Sequence, residues 1–253
     1  HARNTPDRRA LIWGDRTISF GEYDAVSNRI AHDLLARGVE AGERIGFLGL
    51  NTPDFYFALI GTAKTRAAFT VFNWRLAAPE LAQLIADSGT RLAMVERSLE
   101  KLWNDAVAHA GATVETIWFD DQKTLETQVS GRPADKPDLF ISEEDTAVQL
   151  YTSGTTGKPK GAVMTHGSIL SSRDATQSGE EMRAWQEPIP GDVTLLAMPC
   201  FHISGTGTGI GTMVAGTNSI VLPEYDPTKA LDLIQNYNIS KIFLVPAALQ
   251  ILL

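Results

Sequence analysis

The sequence holds a single cysteine, Cys200. No internal disulfide can form, which fits a reducing compartment and a cytoplasmic protein. Cys200 sits beside an apolar strand end with no base arranged around it. It reads as a packed thiol rather than a nucleophile. No run of about 18 apolar residues occurs, so no transmembrane helix is expected. No signal-peptide pattern is visible either, and peripheral membrane contact is left open. Positive charge is in deficit, with 22 Lys and Arg against 30 Asp and Glu and a net charge of −8. That balance argues against nucleic acid or an anionic membrane as the main partner. No His/Cys cluster has the spacing of a structural zinc site.

What remains is ordinary globular material, 43% hydrophobic and 21% charged. Apolar strand-like runs alternate with amphipathic helical patterns, which predicts an α/β fold with largely parallel sheets. Residues 10–13 and 16–19 read as a hairpin turned at Gly14-Asp15. Ser19-x-x-Glu22 is a capping box that opens a helix with a Tyr23, Val26, Ile30, Leu34 stripe, closed at Gly38. Strands are expected at 45–50, 67–72, 91–95 and 114–119, with helices at 53–65, 79–88 and 98–110. Residues 122–145 are polar, contain Pro133 and Pro137, and read as a long surface connection. Further strands are expected at 147–152, 161–165, 193–198, 219–222 and 241–245. Helices are expected from 167, over 204–215 and from Asp226-Pro227. There is no internal repeat.

Within this pattern one run stands apart: Tyr151-Thr-Ser-Gly-Thr-Thr-Gly-Lys-Pro-Lys-Gly161. Glycines let a backbone turn its N–H groups inward. Ser153, Thr155 and Thr156 can donate hydroxyl hydrogen bonds, and Lys160 adds a point charge. Such a run suits a phosphate better than a core. It is not a Walker A loop, because Gly157-Lys158 is followed by Pro159, which has no hydroxyl, and the first glycine of that motif is replaced by Thr152.

Tyr151 to Gly161 resembles the signature loop of the adenylate-forming enzymes: acyl-CoA synthetases, luciferase-like enzymes and peptide-synthetase adenylation domains. Their pattern is an aromatic residue, Thr-Ser-Gly, a hydroxyl residue, then Thr-Gly-x-Pro-Lys-Gly, and it is matched at every position. Pro199-Cys-Phe201-His202 is similar to the family's second motif. Asn73-Trp-Arg75-Leu76 with Pro79-Glu80-Leu81 resembles a segment near the start of acyl-CoA ligases. The resemblance covers essentially the whole chain and is strongest to bacterial fatty-acyl-CoA synthetases.

That resemblance implies a two-step reaction. A carboxylic acid attacks ATP to give an acyl-adenylate and pyrophosphate, and coenzyme A then takes the acyl group as a thioester. Thr152, Ser153, Gly154, Thr155, Thr156, Gly157 and Lys160 are the implied phosphate-binding residues. His202, Lys160 and Thr155 are the implied catalytic ones, with Lys158 read as solvated. Phe201, His202, Gly205, Thr206 and Val245 would face the acyl substrate. For the glycines from 205 to 211, close helix–sheet packing and room for an acyl chain are both open readings, and so are pocket and core packing for Val245. The protonation state of His202 is open as well. His32, His109 and His166 read as surface or structural, with His166 flagged for following the loop closely.

The implied fold is two interleaved α/β lobes. One spans 44–175, the other combines 1–40 with 190–253. The apolar run at 247–253 and the His1 start predict the front portion of a longer protein. No metal ligand is assigned within the chain. The main magnesium ligand, the ribose-binding and adenine-flanking segments and a late catalytic lysine are expected beyond residue 253. Residues 1–253 are therefore expected not to adenylate alone. The alternatives are an aryl-CoA ligase, an amino-acid adenylation domain, or a non-catalytic piece that binds nucleotide phosphates.

Overall fold

The computed structural model describes residues 1–152, 159–171, 189 and 191–252. The chain opens with a hairpin, β1 (Arg9–Trp13) and β2 (Arg16–Ser19). Helix α1 (Phe20–Ala36) follows. Its start is fixed by Ser19 Oγ, which accepts the Glu22 N–H at 3.1 Å, while the Glu22 carboxylate pairs with Arg16. The stripe of Tyr23, Val26, Ile30 and Leu34 is buried, as the period requires.

Strands and helices then alternate: β3 (Arg44–Leu48), α2 (Pro53–Ala63), β4 (Ala68–Val71), α3 (Ala78–Ser88), β5 (Leu92–Glu96), α4 (Glu100–Ala110), β6 (Glu115–Phe119) and α5 (Leu125–Gln128). A second hairpin, β7 (Thr146–Thr152) and β8 (Lys160–Thr165), leads into α6 (His166–Ser171). The rest comprises β9 (Val193–Leu196), α7 (Ile203–Ala215), β10 (Asn218–Val221), α8 (Pro227–Tyr237), β11 (Lys241–Ile242) and α9 (Pro246–Leu252).

The strands make two sheets. One has the order β6-β5-β3-β4-β7-β8, the other β11-β9-β10-β1-β2. All pairs are parallel except the two hairpins. The expected α/β class with largely parallel sheets is what the structure has. Strands covered on both faces carry few polar residues, and every residue of β4 is buried. On one face of the six-stranded sheet Phe47 meets Phe55 and Phe69 at 5.3 and 5.6 Å between ring centroids. On the other, Phe72, Leu81, Leu84, Ile85 and Trp103 form a core under α3 and α4.

Two compact units emerge. His1–Asp24, Asn51–Pro53 and Leu170–Leu253 gather around the five-stranded sheet, and Ala25–Leu50 and Asp54–Ile169 around the six-stranded one. Residues 25–40, which the sequence reading grouped with the amino-terminal strands, cluster with the six-stranded unit instead. Polar contacts hold α1 there beside its buried stripe: Lys64 Nζ donates to Ser27 Oγ and Asn28 Oδ1 at 2.8 and 2.6 Å, and Arg132 pairs with Asp33 at 2.8 Å. The 122–145 connection is not without structure. Thr124 caps α5, and the Leu125 N–H reaches Asp54 Oδ1 at 2.9 Å. The last strand, expected over 241–245, ends at Ile242. Its neighbour among the described residues, β9, stops at Leu196, so 244 and 245 have no ladder partner there. Among the described residues no helix is long and apolar enough to cross a membrane.

Candidate functional site

The phosphate-type run is carried by the β7–β8 hairpin. Thr152 pairs with Lys160 and Tyr151 with Gly161 across the mouth of the connecting loop. The Thr152 hydroxyl lies 3.5 Å from the Lys160 carbonyl. Both residues are exposed, so Lys160 presents its charge at the first position of β8. Ser153, Gly154, Thr155, Thr156, Gly157 and Lys158 lie outside the described residues.

Beneath the mouth runs a chain of polar side chains. Arg44 Nε donates to Gln149 Oε1 at 3.0 Å. Gln149 Nε2 donates to the Tyr151 hydroxyl at 3.0 Å. That hydroxyl donates to Asp87 Oδ2 at 2.7 Å. Burial, together with the Asp87 carboxylate, pushes the Tyr151 phenol far above its ordinary range, so it stays protonated. A Cβ on Gly161 would sit 2.4 Å from Gln149 Nε2. The last glycine of the run therefore makes room for the buried amide.

The far end of the hairpin is braced by Asp145. Arg66 binds it in fork geometry, Nε to Oδ2 at 2.9 Å and the second nitrogen to Oδ1 at 3.1 Å. Arg66 holds a φ of 67°, a left-handed conformation that is costly for a side-chain-bearing residue. The Arg66 hydrogen bonds and then the Ser142 N–H hold the Asp145 carboxyl below its usual range. His166, flagged for its closeness to the loop, follows β8 directly and its N–H donates to the Asp145 carbonyl at 3.0 Å. Burial lowers its basicity, and the nearby Asp145 charge only partly opposes this. Its buried Nε2 has no hydrogen-bond partner among the described residues.

In the other unit, the turn from β9 to α7 carries the second motif. Asn51 organises it from within the core, at 2% exposure. Its Nδ2 donates to the Met198 and Leu222 carbonyls at 3.0 and 3.1 Å, and its Oδ1 accepts the Cys200 N–H at 2.8 Å. Cys200 is buried and has no disulfide, as a packed thiol should be. Phe201 is buried, while His202 is exposed at the N-cap of α7 with the two rings 4.7 Å apart.

Gly205 and Thr206, expected beside the acyl substrate, are both buried in the turn itself. A Cβ on Gly205 would lie 2.2 Å from the Pro199 carbonyl oxygen and 2.5 Å from that of Met198. The Thr206 hydroxyl donates to the Cys200 carbonyl. Of the two readings left open for this glycine, close packing is the one with a contact behind it. Val245 is 41% exposed and accepts the Leu249 N–H at 3.0 Å, which starts α9. The register of β11 against β9 puts Val245 and the His202 turn at the same carboxyl-terminal sheet edge, where open α/β sheets take ligands.

The remaining candidates have local roles. Ring nitrogens of His32 and His109 lie 3.0 and 2.6 Å from the Asp135 and Asp105 carbonyls. The Arg75 guanidinium stacks over Trp74 at 4.8 Å. Sequence reasoning missed Asn51 as a brace, and missed Gln149 and Asp87 altogether. A polar residue inside an otherwise apolar strand was the available signal for Gln149.

A family model described as AMP-binding enzyme matches residues 1–253. Fatty acid–[acyl-carrier-protein] ligase ScoC of Streptomyces coeruleorubidus is 34% identical over all of this chain and 48% of its own length. Long-chain-fatty-acid–CoA ligase FadD13 of Mycobacterium tuberculosis is 31% identical over 93% of this chain and 46% of its own. Indoleacetate–CoA ligase of Aromatoleum aromaticum is 29% identical over all of this chain and 49% of its own length. The chain thus spans about half the length of the curated relatives it matches. Among solved structures, the inhibitor-bound N-terminal domain of FACL13 from M. tuberculosis superposes with a TM-score of 0.86 at 30% identity, over 99% of this chain and 62% of that one. O-succinylbenzoate CoA synthetase (MenE) from Bacillus subtilis, solved with ATP and a magnesium ion, gives 0.80 at 26% identity, over 99% of this chain and 49% of that one.

Proposed function

Because the chain belongs to the AMP-binding enzyme family, we propose that the protein joins a carboxylic acid to a thiol through an acyl-adenylate. In the first step the carboxylate oxygen attacks the α-phosphorus of ATP, the bond to the β-phosphate breaks and pyrophosphate leaves. In the second a thiolate attacks the acyl carbon and AMP leaves. No electron acceptor is needed in either step.

The observation that carries this reading is the Tyr151–Gly161 run on a closed hairpin stem, with Lys160 exposed beside the loop. Two anions must approach and a third must leave, so fixed N–H donors, hydroxyls and a cation are what the step requires. We assign phosphate binding to Thr152, Ser153, Gly154, Thr155, Thr156, Gly157 and Lys160, with the lysine neutralising and the others orienting. His202 and Phe201 are assigned to the acyl carboxylate side. The N-terminus of α7 favours negative charge beside His202 by about 0.3–1 kcal/mol. Gly205 and Thr206 then act by holding the turn in place, and Val245 lines the acyl side.

Magnesium would neutralise phosphate charge when bound. No group of three or more His, Cys, Asp or Glu that could hold a metal exists among the described residues.

A fatty acid is the substrate favoured by the names of ScoC and FadD13. An aryl acid is the second reading, favoured by the indoleacetate ligase. Coenzyme A is the proposed thiol, and the ScoC name makes a carrier-protein thiol the competing acceptor. ATP–pyrophosphate exchange by the full-length protein across fatty, aryl and amino acids tests the substrate, and thioester formation with each thiol tests the acceptor. Fatty acids are expected to support the fastest exchange. Exchange with aryl or amino acids alone replaces the substrate, and no exchange with any acid contradicts the function.

A further inference from the structure

The polar chain under the hairpin mouth is not something the fold requires. A strand under helices on a parallel sheet is ordinarily apolar, yet Gln149 is 5% exposed in the middle of β7. A buried amide without partners is costly, and here both ends of the amide are used. The chain also has a direction. A cation, Arg44, donates to Gln149, Gln149 to Tyr151, and Tyr151 to the anion Asp87. Hydrogen bonds running one way between opposite charges polarise each other in the same sense.

Its place matters more than its composition. Arg44 lies in β3, Gln149 and Tyr151 in β7, and Asp87 in the last turn of α3. Tyr151 stands one residue before Thr152, the residue that pairs with Lys160 at the loop mouth. Gly161, opposite Tyr151, leaves open the space the Gln149 amide fills. Both strands of the hairpin are thereby fitted to a chain fixed at β3 and at α3.

We propose that Arg44, Gln149 and Asp87 are positioning residues for the nucleotide phosphates, acting through the Tyr151 hydroxyl to hold the hairpin mouth in its receiving form. This rests on the assignment of 152–161 to the phosphates. Fixing a backbone in one conformation loses entropy at every residue. A stem already held in place lowers that loss, so loosening the stem weakens nucleotide binding before it slows chemistry.

The test is ATP–pyrophosphate exchange by the full-length protein with the acid it activates best. Tyr151→Phe keeps the ring against the α3–α4 core and removes only the hydroxyl. Asp87→Ala removes the nearer acceptor, leaving only the Leu84 carbonyl at 3.4 Å, and Asp87→Asn keeps one. The KM for ATP is expected to rise about tenfold in Tyr151→Phe and Asp87→Ala, with kcat changed less than about twofold. Asp87→Asn is expected to stay near wild type, and Tyr151→Phe, which takes one acceptor from the Gln149 amide, to lower the melting temperature by only a few degrees. An unchanged KM in both loss variants, or kcat falling in step with stability, overturns the positioning role while wild-type exchange upholds the phosphate assignment. A wild type that exchanges with no acid overturns both.

Discussion

At the base of the β7–β8 hairpin, side chains do the holding. Arg44, Gln149, Tyr151 and Asp87 pass hydrogen bonds from one to the next, and Arg66 grips Asp145 at the other end. At the β9–α7 turn, the main chain does it. Carbonyls of Met198 and Leu222 and the Cys200 N–H converge on one buried amide, and Gly205 presses onto the Pro199 backbone. The first arrangement suits the phosphate role proposed for the run it carries. The second suits the role proposed for His202, whose ring it holds at a helix start. Substitutions should therefore act differently in the two places: on stability at the turn, on nucleotide affinity at the hairpin.

Large stability effects of comparable size are expected from Gly205→Ala and Asn51→Ala. A helix interior would gain up to about 1 kcal/mol from alanine, but the new methyl meets backbone rather than a movable side chain. Overpacking of that kind costs about 1–3 kcal/mol and occasionally more, so a net loss of about 2 kcal/mol in urea unfolding is expected. Unchanged or raised stability would mean that the turn relaxes freely and is not backbone-packed.

Asn51→Ala comes next. It leaves two carbonyls and one N–H without their partner in the core. A loss of about 1–3 kcal/mol follows from an unsatisfied buried group. No loss in urea unfolding would show that water replaces the amide without cost.

The contrast also explains what could be read from the sequence. The Ser19 cap and the α1 stripe are local patterns, and both survive in the structure; the Tyr151–Gly161 run is local as well, with 153–158 outside the described residues. The braces are not local. Asn51 acts on Met198 and Leu222 far along the chain, and nothing near Asn51 in sequence signals it. The end of β11 at Ile242 follows the end of β9, its neighbour in the sheet but far from it in sequence. Helix α5 escaped notice because its signal is one Thr124 cap within a polar stretch. The contacts of the 25–40 segment are not local either: its Ser27, Asn28 and Asp33 meet Lys64 and Arg132, which lie far along the chain.

A smaller effect separates the two units by pH. In the five-stranded unit, burial pushes the Asp192 carboxyl up, but the Ile189 N–H, Lys241 and Ser240 together outweigh it and hold it below its usual range. Asp145 is held low in the six-stranded unit by Arg66. A carboxyl lowered in the folded state adds stability above its unfolded value, near pH 3.8 for both, and loses that contribution as pH falls through the lowered one. His166, lowered by burial, likewise favours the fold above its ordinary value of 6.5 and withdraws that support below it. Asp192→Asn and Asp145→Asn should each flatten the acid side of the stability–pH curve below about pH 4, and His166→Asn should flatten it between about pH 6.5 and that range. Identical curves for all three variants and wild type would mean these groups titrate alike in folded and unfolded chains.

The phosphate assignment is reached most directly by Lys160→Ala in the full-length protein, read by ATP–pyrophosphate exchange with the preferred acid. Loss of a positioned cation at developing phosphate charge predicts a fall in kcat/KM of about a hundredfold or more with little change in melting temperature, since Lys160 is exposed. Exchange at the wild-type rate would contradict the account.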